Sequence, residues 1–325
     1  MLKYGREVIY MKEYPRIVFM GTPEIASYIL EGLINSDYNI VGVVSQEDKP
    51  VGRKGILTPP PVKVIALKNN IPVFQVKRIR DDYSFIKEIN PDLIITCAYG
   101  QIVPQGLLDI PKLGNINVHG SLLPKYRGAS PIQQALINGD KVTGVTIMEM
   151  IYQMDAGRMY AKKEIELNED DNYSSLYNKM KVSGLECLLE MLPSHIEAKS
   201  KGIEVGEEQD EALVTKCSKI SKEQEHLSLN YTCDEFINWI RGLSETPGGY
   251  VLLDNQVFKI LKAKKHSTNI EGEIGQIVKA DKLGLILQLK DGQIALLEVQ
   301  KQGKNKMDYK SFINGNRDLV GKIVC

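Results

Sequence analysis

An asparagine and a histidine two residues apart are the clearest indication of chemistry in this chain. Asn117 and His119 end a predicted strand in the run Asn-Val-His-Gly. Side chains two residues apart on a strand point to the same side. An amide can donate hydrogen bonds to a developing oxyanion, and an imidazole changes charge near neutral pH and can relay protons. The spacing therefore indicates a catalytic site.

A carboxylate further along the chain completes this set. Asp155, in Met-Asp-Ala-Gly, could orient the imidazole, stabilise its charged form and help to accept a proton. Each residue also has a structural interpretation, because Asn and Asp commonly form turns and a single His is often structural or solvated. The joint pattern, in a chain with only four histidines, favours the catalytic interpretation.

The elements around these residues alternate between strand and helix. Strands are predicted at 16–20, 39–44, 73–75, 93–97, 116–119 and 145–149, and helices at 25–33, 61–69 and 131–138. Such alternation is typical of an α/β fold with a Rossmann-like, doubly wound and mostly parallel sheet. Ligands of such sheets bind beyond the carboxyl ends of the strands, which is where Asn117 and His119 are expected.

The remainder of the chain predicts a second, smaller domain. A helical pattern covers 173–198, with a break expected at Pro193, and short apolar runs alternate with turn residues from Tyr250 onward. This pattern predicts a small C-terminal β-barrel, of the open, OB-like kind. The expected divisions are an N-terminal extension at 1–10, either disordered or an upstream start, a catalytic domain at 11–198, a linker at 199–213 and the barrel at 214–325.

Composition excludes several classes of protein. The 325 residues are 43% apolar and 25% charged, which excludes a disordered or fibrous chain. No apolar run approaches the roughly 18 residues of a membrane span, and no secretory signal is visible, so a cytoplasmic enzyme is expected. The five cysteines are scattered without a C-x-x-C pair, so neither a disulfide framework nor a metal site is predicted.

Two nucleotide-binding patterns are missing from the sequence. Gly21-Thr22-Pro23 after the first strand has one glycine, whereas a dinucleotide fingerprint needs three so that the backbone can approach a pyrophosphate. No Gly-Lys-Ser/Thr phosphate loop is visible either. Residues 214–325 hold 17 Lys and Arg against 13 Asp and Glu, a surplus too small to predict nucleic-acid binding by itself.

The stretch after the histidine adds a family resemblance. Ser121-Leu122-Leu123-Pro124 is followed directly by Lys125-Tyr126-Arg127-Gly128-Ala129-Ser130-Pro131. With these runs and Asp155, the chain resembles the folate-dependent formyltransferases. The resemblance implies that Asn117, His119 and Asp155 are catalytic, and that 10-formyltetrahydrofolate is the formyl donor. It assigns the folate to Ser121, Leu122, Leu123 and Pro124 and to an apolar crevice near Tyr99, Gly100, Gln101 and Ile102.

Similarity over the rest of the chain bears on the acceptor. The runs at 21–24, 45–53 and 219–223 resemble the family members that formylate the α-amino group of methionyl initiator tRNA. In those members a long loop enters the tRNA acceptor stem, which implies tRNA contacts for Lys49, Arg53 and Lys54. Lys262 and Lys264 could continue this surface on the barrel. A solvated surface is the alternative for these basic residues.

Two segments depart from the pattern of the tRNA enzymes, at 226–228 and 244–246. Both lie in the second domain, so they bear on tRNA binding and leave formyl transfer intact. Two rival functions stay open at this point. One is a formyltransferase that acts on an amino-sugar nucleotide, and the other is a nucleic-acid-binding protein without enzymatic activity. For the enzyme we expect a monomer that binds no membrane.

Overall fold

A computed structural model describes residues 15–52 and 54–325. The predicted extension at 1–10 and the predicted tRNA contact Arg53 lie outside the described residues. The chain divides into two compact units. The first comprises the described part of Met1–Val118 with Ile147–Gln153 and Leu188–Gly206, and the second comprises His119–Thr146, Met154–Cys187 and Glu207–Cys325.

The strands, in chain order, are β1 Ile17–Gly21, β2 Ile40–Ser45, β3 Lys49–Val51, β4 Ile56–Thr58, β5 Val73–Gln75, β6 Leu93–Cys97, β7 Asn115–His119, β8 Arg127–Gly128, β9 Val142–Glu149, β10 Met159–Glu166, β11 Lys216–Cys217, β12 Tyr250–Leu253, β13 Gln256–Ser267, β14 Ile277–Asp281, β15 Gly284–Leu289, β16 Gly292–Lys301 and β17 Met307–Asp308. The helices are α1 Glu24–Asn35, α2 Pro61–Lys68, α3 Ser84–Ile89, α4 Gln105–Leu108, α5 Pro131–Ile137, α6 Tyr173–Ser200, α7 Cys233–Leu243 and α8 Tyr309–Asn314.

A parallel sheet forms the core of the first unit. Its strands lie in the order β7-β6-β1-β2-β5, and Phe19 of β1 pairs with Val43 of β2 on one side and Ile95 of β6 on the other. The chain-first strand is central, so the winding direction reverses between β1 and β6, where ligands bind in such sheets. The prediction of a Rossmann-like, doubly wound sheet is confirmed.

The apolar sequence of β1 explains its central place. All five residues of Ile17–Gly21 are buried, as expected for a parallel strand that is covered on both faces. Helix α1 presents a buried apolar stripe that includes Ile29 and Leu33. Burying each such side chain contributes about 1.5–3 kcal/mol, so this stripe is sufficient to hold the helix in place.

An antiparallel sheet dominates the C-terminal part of the second unit. Its strands lie in the order β12-β13-β16-β15-β14, with β17 paired to β16. Phe236 of α7, Phe258 of β13 and Phe312 of α8 are fully buried in its core. The amphipathic pattern of α7 and the Thr232 capping box at its start place this helix on the core.

The chain's last residues join the two edge strands of this sheet. Leu252 of β12 and Cys325 exchange backbone hydrogen bonds of 2.6 and 3.0 Å. Beside β14, the Val324 amide donates to the Gly275 carbonyl at 2.8 Å, and the Ile277 amide donates to Lys322 at the same distance. One segment thus bonds to both edges, which agrees with the predicted open barrel.

Three local predictions differ from the structure. Helix α6 runs without interruption through Pro193, because one proline removes a single backbone donor and the rest of a long helix can outweigh that loss. The loop predicted after β2 contains the β3–β4 hairpin, and β10 was not predicted.

Within the segment at 226–228 that departs from the pattern of the tRNA enzymes, His226 stacks on Tyr250 with 5.0 Å between the ring centroids. The predicted domain boundaries stay predictions.

Within 15–52 and 54–325, no helix combines the length and the apolar character that crossing a membrane requires.

Candidate active site

Strand β7 carries the first two predicted catalytic residues. Asn117 is partly buried and pairs in register with Thr96 of the parallel strand β6. Asn115, two residues earlier on the same side of the strand, is buried, and its Nδ2 donates to the Leu108 carbonyl at 2.6 Å. Because side chains alternate along a strand, Asn115, Asn117 and His119 project to one side of β7. Asn115 is therefore a structural anchor, and Asn117 is the more accessible amide.

The imidazole of His119 is buried and oriented at both ring nitrogens. Its Nε2 lies 3.0 Å from the backbone carbonyl oxygen of Tyr126. A carbonyl oxygen only accepts, so Nε2 is the donor in this hydrogen bond. Nδ1 lies 3.7 Å from Oδ1 of Asp155. Nδ1 is therefore the ring nitrogen that faces the predicted carboxylate.

The carboxylate of Asp155 is anchored on its far side. Its Oδ2 accepts a hydrogen bond of 2.8 Å from the backbone amide of Gly128, which leaves Oδ1 facing the imidazole. Gly128 has a φ of +130°, and a Cβ at this position would lie 2.0 Å from the Cys217 carbonyl oxygen. Only glycine permits this close approach. The second unit therefore holds His119 and Asp155 as an oriented pair.

Hydrogen bonds connect the predicted folate loop at 121–124 to strand β9. Thr146 Oγ1 donates to the Ser121 carbonyl at 2.7 Å and accepts from the Leu123 amide at 3.0 Å. The Ser121 hydroxyl donates to the Lys125 carbonyl at 2.6 Å, and Leu123 is buried. Ser121 and Leu123 thus shape the loop, while Leu122 and Pro124 are partly exposed.

The other predicted folate segment lies in the first unit, after β6. Tyr99 is buried, and its carbonyl oxygen accepts from Thr22 Oγ1 and Gln46 Nε2, each at 3.0 Å. The side chain of Gln101 accepts from the Ile79 amide at 2.8 Å and donates to the backbone of 76–77. The Tyr99 carbonyl and the Gln101 side chain therefore brace the loop, whereas Gly100 and Ile102 are exposed.

Two residues that the sequence did not single out belong to the surroundings of Asp155. Gln209, in the predicted linker, donates to the Asp155 carbonyl at 2.8 Å, and buried Arg127 donates to Gln209 at 2.9 Å. Arg127 stands in the run 125–131 that carries the family resemblance, and Gln209 lies in a polar stretch with no periodicity. No pattern in the sequence pointed to either contact.

The ionisable side chains around this site show no metal-binding arrangement. Among the described residues, no group of three or more His, Cys, Asp and Glu side chains could hold a metal ion. Among the described residues the five cysteines form no disulfide; four of them are buried, and Cys325 is exposed. Burial raises the pKa of the Cys217 thiol, and the negative charge of Asp155 raises it further, while a hydrogen bond from the Ser130 backbone partly opposes both effects.

Comparison with known protein families identifies the family of this chain. The formyl transferase family model matches residues 15–192. The chain belongs to the formyl transferase family. A second match, to the C-terminal domain of formyl transferases, covers residues 219–317. The two matches together include both sheets of this formyl transferase.

Curated relatives of this formyl transferase cover nearly its whole length. A methionyl-tRNA formyltransferase from Lactobacillus gasseri is 42% identical and covers 92% of this chain and 95% of its own. A methionyl-tRNA formyltransferase from Staphylococcus aureus is 40% identical and covers 94% of this chain and 98% of its own.

Solved structures share the fold of this formyl transferase at lower identity. An N-formyltransferase from Helicobacter canadensis, in complex with folinic acid and dTDP-3-aminofucose, matches with a TM-score of 0.65 at 18% identity, over 89% of this chain and 99% of that one. HypX from Aquifex aeolicus, in complex with tetrahydrofolic acid, matches with a TM-score of 0.61 at 16% identity, over 92% of this chain and 47% of that one. At these identities the likeness shows the fold alone.

The predicted tRNA contacts of this formyl transferase lie on exposed elements. Lys49 begins the β3–β4 hairpin and donates to Gln46 Oε1 at 2.8 Å, and Lys54 is exposed in the turn. On β13, Lys262 and Lys264 are both exposed. Lys262 Nζ lies 3.5 Å from Asp170 Oδ1, an exposed pair that contributes about 0–1 kcal/mol.

Proposed function

We infer that this chain transfers a formyl group from 10-formyltetrahydrofolate to the α-amino group of methionyl initiator tRNA. The product would be N-formylmethionyl-tRNA for translation initiation. The observation that carries this inference is the identity of 42% to a methionyl-tRNA formyltransferase over 92% of the chain. Because this match spans both sheets, it includes the C-terminal part that a folate-dependent catalytic domain alone would not need.

The reaction requires the site to stabilise an oxyanion, to accept a proton from the amine and to supply a proton to the departing folate nitrogen. The amine nitrogen bonds to the formyl carbon, whose carbonyl oxygen becomes an oxyanion, and the bond to the folate nitrogen then breaks. One proton must leave the amine and one must reach the departing folate nitrogen, so the protons balance. A preorganised amide donor at an oxyanion typically contributes roughly 100- to 1000-fold in rate. Asn117 is the proposed donor.

His119 and Asp155 are the proposed proton carriers. The Tyr126 carbonyl fixes the Nε2 end of the ring, and Nδ1 faces the carboxylate at 3.7 Å. The pair can hold the proton that leaves the amine until the folate nitrogen accepts it. General acid–base catalysis of this kind contributes roughly 100- to 10,000-fold.

The exposed side chains of the first unit fit a pteridine. Ile102 after β6 is 62% exposed, and Ile151 and Tyr152 after β9 are 39% and 66% exposed. Exposed apolar side chains in the loops after β6 and β9 are suited to cover a flat ring. Leu122 and Pro124 are the partly exposed members of the second-unit loop that we assign to the folate as well.

The tRNA would be bound largely by phosphate contacts. We assign this role to Lys49 and Lys54 of the hairpin, to Arg53 of the same stretch of sequence, and to Lys262 and Lys264 of the barrel, because ammonium and guanidinium groups neutralise phosphates. Such contacts position the nucleic acid rather than read its sequence. We further propose that the enzyme is a cytoplasmic monomer, as a translation enzyme acting on free aminoacyl-tRNA requires no membrane.

The amino-sugar alternative is tested by supplying the enzyme with each acceptor in a separate reaction. Purified enzyme is incubated with 10-formyltetrahydrofolate and either methionyl initiator tRNA or a dTDP-linked amino sugar. We expect formylmethionyl-tRNA to accumulate in step with tetrahydrofolate, and the sugar nucleotide to stay unmodified. Formylation of the sugar with no product on the tRNA would reverse the choice of acceptor, and no product on either would support the non-enzymatic alternative.

A further inference from the structure

We propose that Gln209 is a positioning residue that holds the Asp155 loop in its working geometry. The proposal rests on the function inferred above and extends it to a residue in the predicted linker. Gln209 is 9% exposed and lies 54 positions after Asp155 in the chain. Its side chain donates to the backbone carbonyl of Asp155, so it would act through the backbone of that residue.

The amide group of Gln209 bridges two carbonyls of one tight turn. Its Nε2 donates to the carbonyl oxygens of Asp155 and Gly157, both at 2.8 Å. Asp155 has a φ of +51°, a left-handed conformation that residues with a Cβ seldom adopt. Such a conformation persists only where its surroundings determine it. The two hydrogen bonds from Gln209 supply that constraint at the residue whose carboxylate faces His119.

A buried arginine fixes the orientation of this glutamine. Arg127 is 5% exposed, and its Nε donates to Gln209 Oε1 at 2.9 Å. Because the oxygen of the amide accepts from Arg127, its nitrogen must point to the Asp155 turn. The charge of Arg127 is balanced by Glu211, whose Oε1 lies 2.8 Å from the guanidinium. Arg127, Gln209 and Glu211 therefore form one oriented network.

The backbone of the same segment also forms hydrogen bonds beside the Asp155 turn and beside the Tyr126 carbonyl that orients His119. Glu207 and Met159 exchange backbone hydrogen bonds of 2.8 and 2.9 Å just beyond the Asp155 turn. Further on, the Arg127 amide donates to the Thr215 carbonyl at 2.9 Å, beside the Tyr126 carbonyl that orients His119. Residues 207–217 thus act as a clamp on the two loops, rather than as a passive tether.

The test compares two variants of Gln209 with a matched buried glutamine. Gln209→Ala removes both donors, and Gln209→Glu keeps the size and the oxygen that accepts from Arg127 while it removes the amide donors. Gln288 serves as the control because it is fully buried and its Nε2 also donates to backbone carbonyls, those of Leu289 and Gly292 at 2.8 and 2.9 Å and that of Asn269 at 3.4 Å. It lies in the C-terminal antiparallel sheet.

Formylation of methionyl-tRNA, folate Kd and melting temperature are measured for each variant. We expect both Gln209 variants to lose roughly 10- to 100-fold in kcat, with KM for the tRNA and folate Kd within about twofold, because a displacement of about 1 Å can cost about 100-fold in rate. Gln288→Ala should lower the melting temperature and leave kcat of the folded enzyme unchanged. Should Gln209→Ala fail to fold, the isosteric Gln209→Glu carries the comparison.

A double-mutant cycle with Asp155→Asn separates positioning from a general loss of structure. If Gln209 acts through the Asp155 carboxylate, Gln209→Ala should cost much less when Asp155 is already Asn. An unchanged kcat in both Gln209 variants, or equal fold losses in the two backgrounds, would overturn the clamp. Full turnover by Asp155→Asn alone would instead overturn the site assigned under the proposed function, and the clamp with it.

Discussion

Nδ1 of His119 and Oδ1 of Asp155 lie 3.7 Å apart, longer than a hydrogen bond, while the other carboxylate oxygen is held at 2.8 Å by Gly128. Catalytic pairs are often loose in the absence of substrate and tighten in the reacting complex. One oxygen of the carboxylate is thus anchored by a backbone amide, and the other faces the imidazole.

Asp155→Asn should abolish most of the activity and preserve the fold. The amide oxygen can still accept from Gly128, so shape is kept while the charge facing His119 is lost. We expect kcat for formylation to fall by at least about 100-fold, with the melting temperature within a few degrees of the parent. Turnover near the parent value in folded protein would remove Asp155 from the site.

Two asparagines on strand β7 should respond in opposite ways to alanine substitution. Asn117→Ala should reduce kcat by roughly 100- to 1000-fold, as expected for loss of an oxyanion donor, with little effect on stability. Asn115→Ala should leave kcat intact and cost about 1–3 kcal/mol, because the Leu108 carbonyl loses its 2.6 Å partner. Single-turnover kinetics and urea unfolding check the pair, and equal kinetic effects would contradict the assignment.

Arg241 should matter for stability more than for chemistry. Its Nε and a terminal guanidinium nitrogen donate to the backbone carbonyls of Asp171 and Asn168 at 2.6 and 2.7 Å. Arg241→Ala leaves both carbonyls without these donors, so we expect a loss of at least about 2 kcal/mol in the free energy of unfolding. Arg241→Lys, which lacks the fork of donors, should recover only part of it. Urea denaturation that shows no difference from the parent would refute this role.

His195 should make the protein less stable in mild acid. Burial lowers its pKa below the ordinary value of about 6.5, and Lys199 lowers it further, although a hydrogen bond with the Leu113 carbonyl partly opposes both. The unfolded chain therefore binds the proton more readily. This contribution to stability is complete above about pH 6.5 and is lost as the pH falls towards the lowered folded value.

The corresponding measurement is unfolding free energy against pH between 7.5 and 5, in about half-unit steps. His195 alone should contribute a slope of up to about 1.4 kcal/mol per pH unit, and His195→Gln should remove it. His266→Gln, at an exposed position, is the matched control and should keep the parent slope. A parent slope retained in His195→Gln would show that another group is responsible.

The hairpin and the barrel should contribute to tRNA formylation in different ways. Arg53→Ala should reduce kcat/KM for methionyl-tRNA by roughly 100-fold through misplacement of the amine, with folate Kd unchanged. The pair Lys262→Ala and Lys264→Ala should mainly weaken tRNA affinity and flatten its salt dependence. Unchanged tRNA formylation by Arg53→Ala would refute the loop's role and reopen the amino-sugar alternative.

Local sequence patterns were sufficient for much of the fold. The bounds of β5 and β6 agree with the predicted 73–75 and 93–97, because each is a short run rich in β-branched or aromatic residues that follows turn residues. The relation between Asn117 and His119 is equally local, since a period of two along a strand decides it. Helix α6 shows the limit of such rules, because its continuity through Pro193 depends on the whole helix rather than on one residue.

The sequence by itself determined the strands of the parallel sheet, the ligand end of that sheet and the three polar residues proposed for catalysis. Only the tertiary structure decided how Asp155 is held, because its partners Gly128 and Gln209 come from segments 27 and 54 residues away. The segment of Gln209 is polar and without periodicity, which is why it predicted a linker. A hydrogen bond between distant backbone and side-chain groups leaves no repeat in the sequence, since its energy depends on burial and orientation that the whole fold provides.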